Sequence, residues 1–272
     1  MKKNLLLLLL VIPFLSIGQQ VKYLDINQVK AAIYPSSRLF CLNGNTSSYV
    51  VPKTGSASTI FTMSPWIGGY DASGKLHFAG NRYNGNGYDY FCGPLDTTTA
   101  TTDSTAVQDY TKVWSLTKLE IETFKWMFAQ GNVTNGSYAV PNDILTWPAH
   151  GTGNQAKNLA PFVDTNGDGI YNPYSGDYPD IDGDQMLYWI LNDNYAPHTE
   201  TQGLPLGIEV HCSLYAYKYD NPQNATQNLI NYQSFLRYKV INRSDTIYNN
   251  SLFGVFAGSS GCLQSSRCVR AH

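Results

Sequence analysis

The clearest pattern in the chain is an alternation of apolar and polar residues in GIEVHCSLYAYKY, residues 207–219. Successive side chains of a β-strand point to opposite faces of the sheet, so this alternation predicts a strand with two unlike faces. The apolar face would hold Ile208, Val210, Cys212, Leu214 and Ala216, and the other face Glu209, His211, Ser213, Tyr215 and Tyr217. We expect the second face to be a polar, outer face of the sheet.

Two further strand-like runs follow, NLINYQSFLRYKVINRS (228–244) and TIYNNSLFGVFAG (246–258). Short connections favour antiparallel pairing, so the three runs predict a three-stranded meander. Short strands are also predicted in residues 21–95, where RLFCL, YVVP, TIFTMSPWIGG and KLHFAGNRY are separated by Gly, Asn and Pro. The predicted fold class is mainly β, an antiparallel β-sandwich-like fold with one short helix and long loops.

The one predicted helix begins at Thr117. Thr117-Lys-Leu-Glu120 matches a capping box, in which the Thr and Glu side chains satisfy free backbone amides. Gly131 is expected to end this helix. Its broad apolar face would consist of Leu119, Ile121, Phe124, Met127 and Phe128. The polar run at 96–108 predicts an exposed loop, and residues 132–163 predict irregular structure.

The composition and the first residues favour an exported protein. Twenty Tyr and 23 Gly accompany only 14% charged residues, which suits pleated surfaces and turns. Met-Lys-Lys precedes the apolar run LLLLLLVIPFLSIG, the pattern of a secretory signal peptide with cleavage expected near Gly18. The run is too short for a membrane span, no Cys follows it for lipidation, and no transmembrane segment is predicted. A net charge of −2 gives no case for nucleic-acid binding.

The five cysteines leave several pairings open. In an oxidising compartment Cys41 could pair with Cys92, and Cys262 with Cys268. Cys212 lies in the alternating strand and is expected to be a buried thiol.

The small net charge hides a strong asymmetry along the chain. The 60 residues from Asn158 to Tyr217 contain seven Asp, two Glu and no Lys or Arg, a formal charge of −9. The rest of the chain has 18 basic and 11 acidic residues, a charge of +7. Like charges a few ångströms apart repel by about 1 to 4 kcal/mol per pair. The carboxylates must therefore spread into water, pair with distant bases or bind a cation.

The spacing in DTNGDGIYNPYSGDYPDIDGD, residues 164–184, favours the cation. Asp164, Asn166 and Asp168 alternate and Gly169 follows, as at positions 1, 3, 5 and 6 of an EF-hand loop, whose position 7 (Ile170) supplies a carbonyl. These hard oxygen donors suit Ca²⁺. The alternative is a plain solvated acidic loop.

The loop departs from an EF-hand at its end. Position 12 is Ser175 instead of Glu, and prolines replace helical flanks, so the loop is more similar to the helix-free aspartate loops of thrombospondin type 3 repeats. Asp177 is the nearest carboxylate. Three further carboxylates would complete this site or build a second one, namely Asp180, Asp182 and Asp184.

Two other functions are compatible with the sequence. His198-Thr-Glu200 and Glu209-Val-His211 could bind a catalytic metal for hydrolysis, or Glu200 or Glu209 could reach the calcium, but no H-E-x-x-H is present. No G-x-S-x-G or Walker-type motif occurs either, and we predict no enzyme activity. A carbohydrate-binding platform could be formed by Trp66, Tyr70, Tyr83, Tyr88 and Tyr90.

Several blocks from about Leu39 to Val255 resemble the N-terminal region of large secreted proteins of gliding Bacteroidota that carry a type IX secretion sorting domain. They include SPWIGGYDASGKLHFAGNRY, YFCGPLD, VPNDILTWPAHG, APFVDTNGDGIYNP, GDYPDIDGDQMLYWILND, HTETQGLPLGIEVH and YKVINRS. The resemblance implies a cell-surface or extracellular, adhesin-like module with cell-surface glycans or proteins as candidate partners. It places the family's Asp-rich motif on Asp164, Asn166 and Asp168.

The end of the chain departs from that family, because AGSSGCLQSSRCVRAH replaces further β structure and the sorting domain. A truncated or frameshifted end is expected, and a periplasmic location if the sorting domain is absent. The predicted organisation is a signal peptide (1–18), an N-terminal β-rich region (19–135), a calcium-loop and meander region (136–257) and an atypical tail (258–272).

Overall fold

The computed structural model describes residues 21–42, 46–82 and 87–259. The predicted signal peptide, Tyr83, Cys262, Cys268 and most of the predicted tail lie outside these residues. Within them the chain forms fifteen β-strands and four short α-helices, and the ladders between the strands are antiparallel. The prediction of a mainly β fold is therefore confirmed.

The larger sheet contains six strands from both ends of the chain. They are β1 (Lys22–Leu24), β2 (Lys30–Ile33), β5 (Tyr49–Val50), β6 (Ser58–Tyr70), β7 (Leu76–Gly80) and β15 (Asn249–Ser259). The order is β1-β2-β5-β6-β15, and β7 also pairs with β6. The four runs predicted as strands in residues 21–95 each contain a strand, namely β3 (Cys41–Leu42), β5, β6 and β7. β3 pairs with β4 (Thr46–Ser47) in a small hairpin separate from this sheet.

The second sheet has five strands and includes, between two neighbours, the strand predicted from the alternation at residues 207–219. They are β8 (Phe91–Cys92), β9 (Trp114–Thr117), β12 (Gln185–Asn192), β13 (Ile208–Ala216) and β14 (Phe235–Asn242). The order is β14-β13-β12-β8, and β9 also pairs with β12. A two-stranded hairpin, β10 (Phe162–Val163) with β11 (Tyr178–Pro179), stands apart from both sheets and carries the acidic loop.

The meander prediction is correct for two strands and wrong for the third. β13 and β14 pair from Ile208↔Asn242 to Tyr215↔Phe235. β15 leaves that sheet and pairs with β6, a strand almost 190 residues earlier, from Asn249↔Tyr70 to Ser259↔Ile60. A single-sequence pattern specifies which residues form a strand but not its partner, because pairing is decided by long-range packing.

The predicted polar outer face of β13 is also wrong. Glu209 and His211 do point to the same side, yet both are buried, as is almost every residue of β13 and β12. Part of this face is covered by the segment that follows helix α3 (Asn142–Leu145), where the Trp147 ring packs against Tyr188 of β12. A strand buried on both sides keeps polar residues only where they find internal partners.

The helix at Thr117 forms as predicted. Helix α2 (Lys118–Ala129) has Thr117 as its N-cap, and both hydrogen bonds of the capping box are present. The loop predicted at 96–108 is wrong at its end, where α1 (Ser104–Asp109) is capped by Asp103. Two more short helices escaped prediction, α3 (Asn142–Leu145) in the segment predicted to be irregular and α4 (Ala225–Ile230).

One hydrophobic cluster contains side chains of both sheets, with Trp189, Phe124 and Leu24 among its fully buried members. Cys212 is a buried thiol, as predicted. The suggested Cys41–Cys92 disulfide is absent, since Cys92 is a buried thiol whose Sγ donates to the Pro35 carbonyl at 3.0 Å. Burial raises the pKa of Cys92 to about 11 and that of Cys212 well above its usual value.

Candidate metal centre

The acidic loop connects the two strands of the β10–β11 hairpin. Phe162 pairs with Pro179 and Val163 with Tyr178, so Asp164 immediately follows one strand and Asp177 immediately precedes the other. The antiparallel pairing brings these two carboxylates together across the neck of the loop. Asp177 therefore reaches the site although it lies two positions beyond the place of the EF-hand glutamate.

Asp177 is the buried member of the site. Its Oδ1 accepts the Thr165 N–H at 2.8 Å and its Oδ2 accepts the Asn172 N–H at 2.9 Å. The Thr165 hydroxyl donates to the Gly176 carbonyl at 2.9 Å and closes the neck further. Each carboxylate oxygen has two lone pairs, so an acceptor of one N–H keeps capacity for a cation.

The N-terminal half of the loop folds around its own carboxylates. Asp164 accepts the N–H groups of Gly167 (2.8 Å) and Gly169 (2.7 Å), and Asp168 accepts that of Ile170 (2.7 Å). Asn166 and Asp168 bond each other in both directions, at 2.8 and 3.1 Å. Gly169 has a φ of +73°, a conformation that glycine adopts without strain, as the sharp turn predicted at this position requires.

Three carboxylates converge in this loop. Asp164, Asp168 and Asp177 each offer an oxygen, and these oxygens lie within 4.8 Å of one another. Within the described residues none of the three forms an ion pair. The Lys157 amine approaches the loop, 3.8 Å from where a Cβ on Gly169 would lie, but forms no ion pair with the three. The loop thus concentrates three negative charges that form no ion pair with a described base, and Lys157 is the cation near it.

The other predicted ligands lie outside this convergence. Asp182 pairs with Arg237, with Nη1–Oδ2 at 2.8 Å, and Asp184 accepts the Lys218 N–H at 2.8 Å. Asp180 is exposed and its N–H donates to the Pro161 carbonyl. The contribution predicted for Ile170 is its backbone carbonyl and stays a prediction, and the side chain of this residue is exposed.

The loop contacts the body of the protein in its middle, at Tyr171, and near its C-terminal end, at Gly176. Gly176, with a φ of +97°, lies so close to α2 that a Cβ there would be 2.6 Å from the Phe128 ring. The Tyr171 hydroxyl donates to the Ile144 carbonyl at 2.6 Å, and burial together with the charge of Asp177 raises the pKa of this tyrosine. His150 links Lys157 to Tyr171 through its two ring nitrogens. Ordering of the loop would therefore be transmitted to α2 and α3.

The predicted hydrolytic metal set does not assemble. Within the described residues the Asp164 cluster is the one group of three potential metal-ligating side chains that converges. Each ring nitrogen of His198 lies near a backbone carbonyl, that of Phe78 at 2.8 Å and that of Asp193 at 2.7 Å. Glu200 pairs with Arg82 at 2.8 Å.

Glu209 and His211 belong to a separate buried network that the sequence did not indicate. Glu209 Oε1 lies 2.7 Å from His211 Nε2 and 2.7 Å from Arg243 Nη2, and its Oε2 accepts the Leu95 N–H at 2.9 Å. Burial would raise the pKa of Glu209, but the hydrogen bonds from His211 and Arg243 outweigh it and lower the pKa to about 2. The Tyr188 hydroxyl lies 2.7 Å from the other His211 nitrogen, so each polar group has a partner.

The aromatic residues proposed for sugar stacking do not form one platform. Tyr90 is buried, and one face of Trp66 stacks on Phe256 with ring centroids 5.6 Å apart. Tyr70 and Tyr88 are exposed, and Arg38 lies over the Tyr88 ring. Tyr83 lies outside the described residues.

Comparison with known proteins finds no matching family model, no matching curated protein and no matching solved structure. The resemblance to secreted Bacteroidota proteins therefore stays a prediction from the sequence blocks. Among the described residues no helix is both long and apolar enough to cross a membrane.

Proposed function

We propose that the loop from Asp164 to Asp177 binds Ca²⁺ and that the ion holds the β10–β11 hairpin in one conformation on the sheets. The observation that carries the proposal is the approach of three carboxylate oxygens to within 4.8 Å without an ion pair to any described base. At such distances each pair of like charges costs about 1 kcal/mol in water and about 4 kcal/mol near a protein surface. A hard divalent cation bound between the carboxylates would turn this repulsion into a net attraction.

The proposed role of the ion is structural. Asp177 is fully buried and already holds two backbone amides, so it leaves no open face for a substrate on its side of the site. The neck of the loop contacts α2 through Gly176 and Phe128. Calcium would therefore add to the stability of the whole fold, because a ligand that binds only the folded state stabilises it by mass action.

The decisive experiment measures thermal unfolding of the purified protein in 10 mM CaCl₂ and in chelator. Extracellular calcium modules bind with Kd values of roughly 10⁻⁴ to 10⁻³ M, so we expect the melting temperature to rise by about 3 to 10 °C in calcium. Magnesium should have a smaller effect because it demands near-octahedral geometry. Superimposable melting curves in calcium and chelator would disprove the proposal.

The matched variants are Asp168→Asn and Asp180→Asn. Both residues are exposed aspartates of the same acidic segment, but only Asp168 belongs to the convergent group. We expect Asp168→Asn to remove most of the calcium-induced shift and Asp180→Asn to retain it. Asp177→Asn is less informative, since its carboxylate also accepts two backbone amides.

The second part of the proposal is that the chain acts outside the cytoplasm as a non-enzymatic, adhesin-like surface module. Its support is the signal-peptide pattern at Met1–Gly18 and the Tyr- and Gly-rich, weakly charged composition. Candidate partners are cell-surface glycans or proteins. Fractionation of cells that express the tagged chain tests its location, and a glycan array with and without calcium tests glycan binding.

A further inference from the structure

The two sheets end side by side in strands with open edges. β15 pairs with β6 along one edge, and no strand of the described residues pairs with its other edge. β14 is likewise the last strand of the second sheet. The rings of Phe253 in β15 and Tyr238 in β14 lie 5.8 Å apart, so both open edges lie on the same side of the molecule.

This side of the molecule exposes large apolar side chains. Leu252 is 77% exposed, Phe253 51% and Val255 45%, and Val240 of β14 is 39% exposed. β15 is eleven residues long and contains neither a charged residue nor a proline. Natural sheets usually protect an edge with charge, proline or a very short strand. The outer strands at the opposite side are indeed short, three residues for β1 and two for β8.

The sequence of β15 suits pairing with itself. Read outwards from Gly254 in NNSLFGVFAGS, the strand gives Phe and Val, then Leu and Phe, then Ser and Ala. An antiparallel pair about a two-fold axis at Gly254 would place Phe253 opposite Val255 of the second copy and Leu252 opposite Phe256 of the second copy. Cross-strand pairs of aromatic and β-branched residues stabilise sheets, and no charge is present to repel its symmetry mate.

We infer that β15 is the interface of a symmetric homodimer, formed by antiparallel pairing with β15 of a second copy of this chain. Its regular pairing with β6 runs from Leu252 to Gly258 and includes the segment around the axis. The same patch serves both subunits, as an isologous interface requires. The two six-stranded sheets would join into one continuous sheet, and Leu252, Phe253 and Val255 would each gain an apolar cross-strand neighbour from the second copy.

The first test is the solution mass, measured by light scattering after size exclusion over a concentration series. We expect the dimer mass for the unchanged protein and for Leu229→Lys, which alters an exposed leucine of α4 outside both edge strands. Val255→Lys and Leu252→Lys should give the monomer mass, because each places lysines at the two-fold interface. Leu252 is so exposed that its replacement leaves the core intact. A monomer at every concentration, or a dimer that survives both strand variants, overturns the inference.

The second test fixes the register by oxidation of Gly254→Cys, with Cys262 and Cys268 replaced by Ser. A two-fold axis at Gly254 places the two new thiols opposite each other, at a Cα separation that suits a disulfide. A Cβ fits there, because its nearest neighbours would be 4.0 Å away. Gly258→Cys is the control, since a Cβ fits there too but the two copies would be roughly 27 Å apart. A disulfide-linked dimer is expected only for Gly254→Cys. No cross-link at Gly254, or equal cross-linking at both positions, overturns the register.

Discussion

The acidic segment from Asn158 to Tyr217 contains carboxylates in two contrasting environments. Glu209 is buried in β13 and has Arg243 and His211 within hydrogen-bond distance. Asp164, Asp168 and Asp177 surround a hairpin loop, where they face one another and bond backbone amides of their own loop. The segment itself contains no Lys or Arg. Its Glu209 is nevertheless neutralised by Arg243, whereas the three aspartates of the loop form no ion pair.

The difference follows from the place of each group in the fold. β13 is a central strand, and its neighbour β14 leads directly to Arg243, so the sheet itself brings a base to Glu209. The β10–β11 hairpin pairs with neither sheet, and its loop receives no such partner among the described residues. A stretch of sequence without Lys or Arg therefore favours a cation site only where the fold brings no Lys or Arg from elsewhere to its carboxylates.

The largest expected effect comes from Glu209→Gln. Gln keeps one acceptor oxygen, but it removes the charge opposite Arg243 and replaces the second acceptor oxygen with an NH₂ donor that faces other donors. Breaking a buried pair in this way costs about 3 to 5 kcal/mol. The free energy of unfolding in urea, with chelator present, measures it. Glu122→Gln, which removes an exposed pair with Lys125 on α2, serves as the control and should cost less than about 1 kcal/mol. An equal loss of unfolding free energy in the two variants would contradict the distinction between buried and exposed ion pairs.

The second-largest effect is expected in the pH dependence of stability, to which the buried Glu209 contributes. The folded pKa of Glu209 is lowered to about 2 from a usual value near 4.5, so the folded state binds fewer protons than the unfolded state between these values. Its contribution, about 3 kcal/mol, is complete above pH 4.5 and declines as the pH falls towards 2. Urea unfolding between pH 5 and 2.5 should show a shallower decline for Glu209→Gln than for the unchanged protein. Parallel curves would contradict the assignment.

Local sequence patterns predict the elements of this fold better than their partners. The capping box at Thr117 and the strand β13 depend on neighbouring residues, and both form where they are predicted, although the polar face of β13 is buried. The pairing of β15 with β6 depends on packing across the whole chain, and the alternation in β15 does not show it. The burial of Glu209 escaped prediction for the same reason, since one of its partners, the Leu95 N–H, lies 114 residues earlier in the chain.

The candidate metal site is predictable to the same extent. The spacing of Asp164, Asn166 and Asp168 predicts the local turn, because hydrogen bonds between residues two positions apart hold it. The Asn166 side-chain amide donates to Asp168, and Asp168 accepts the Ile170 N–H. The contribution of Asp177 depends on the hairpin register, which sequence spacing does not contain. Asp182 belongs to the same acidic run, but β14 supplies Arg237 to it, so composition alone cannot sort these residues.

A smaller effect of opposite sign is expected for Asp168→Asn in the absence of calcium. Removing one of three converging charges relieves its repulsion with the other two, about 2 kcal/mol in water at about 1 kcal/mol per pair, and the asparagine oxygen can still accept an amide. The variant should therefore be slightly more stable than the unchanged protein in chelator and less stable than it in calcium. Urea midpoints in the two buffers measure this crossing. A loss of stability in chelator would show that the three carboxylates are already neutralised within the fold.

The smallest effect is expected for Asp182→Asn, which isolates the role of burial. Asp182 and Arg237 form a two-point ion pair, at 2.8 and 3.1 Å, but the side chains are 34% and 54% exposed. Water and salt screen such pairs, so the change should cost less than about 1 kcal/mol and should diminish further at high ionic strength. Urea unfolding at low and high salt measures both terms. Asp182 and Glu209 each pair with an arginine, Arg237 in β14 and Arg243 just after it. If Asp182→Asn and Glu209→Gln lowered the free energy of unfolding equally, burial of the Glu209 pair would add nothing to its stability.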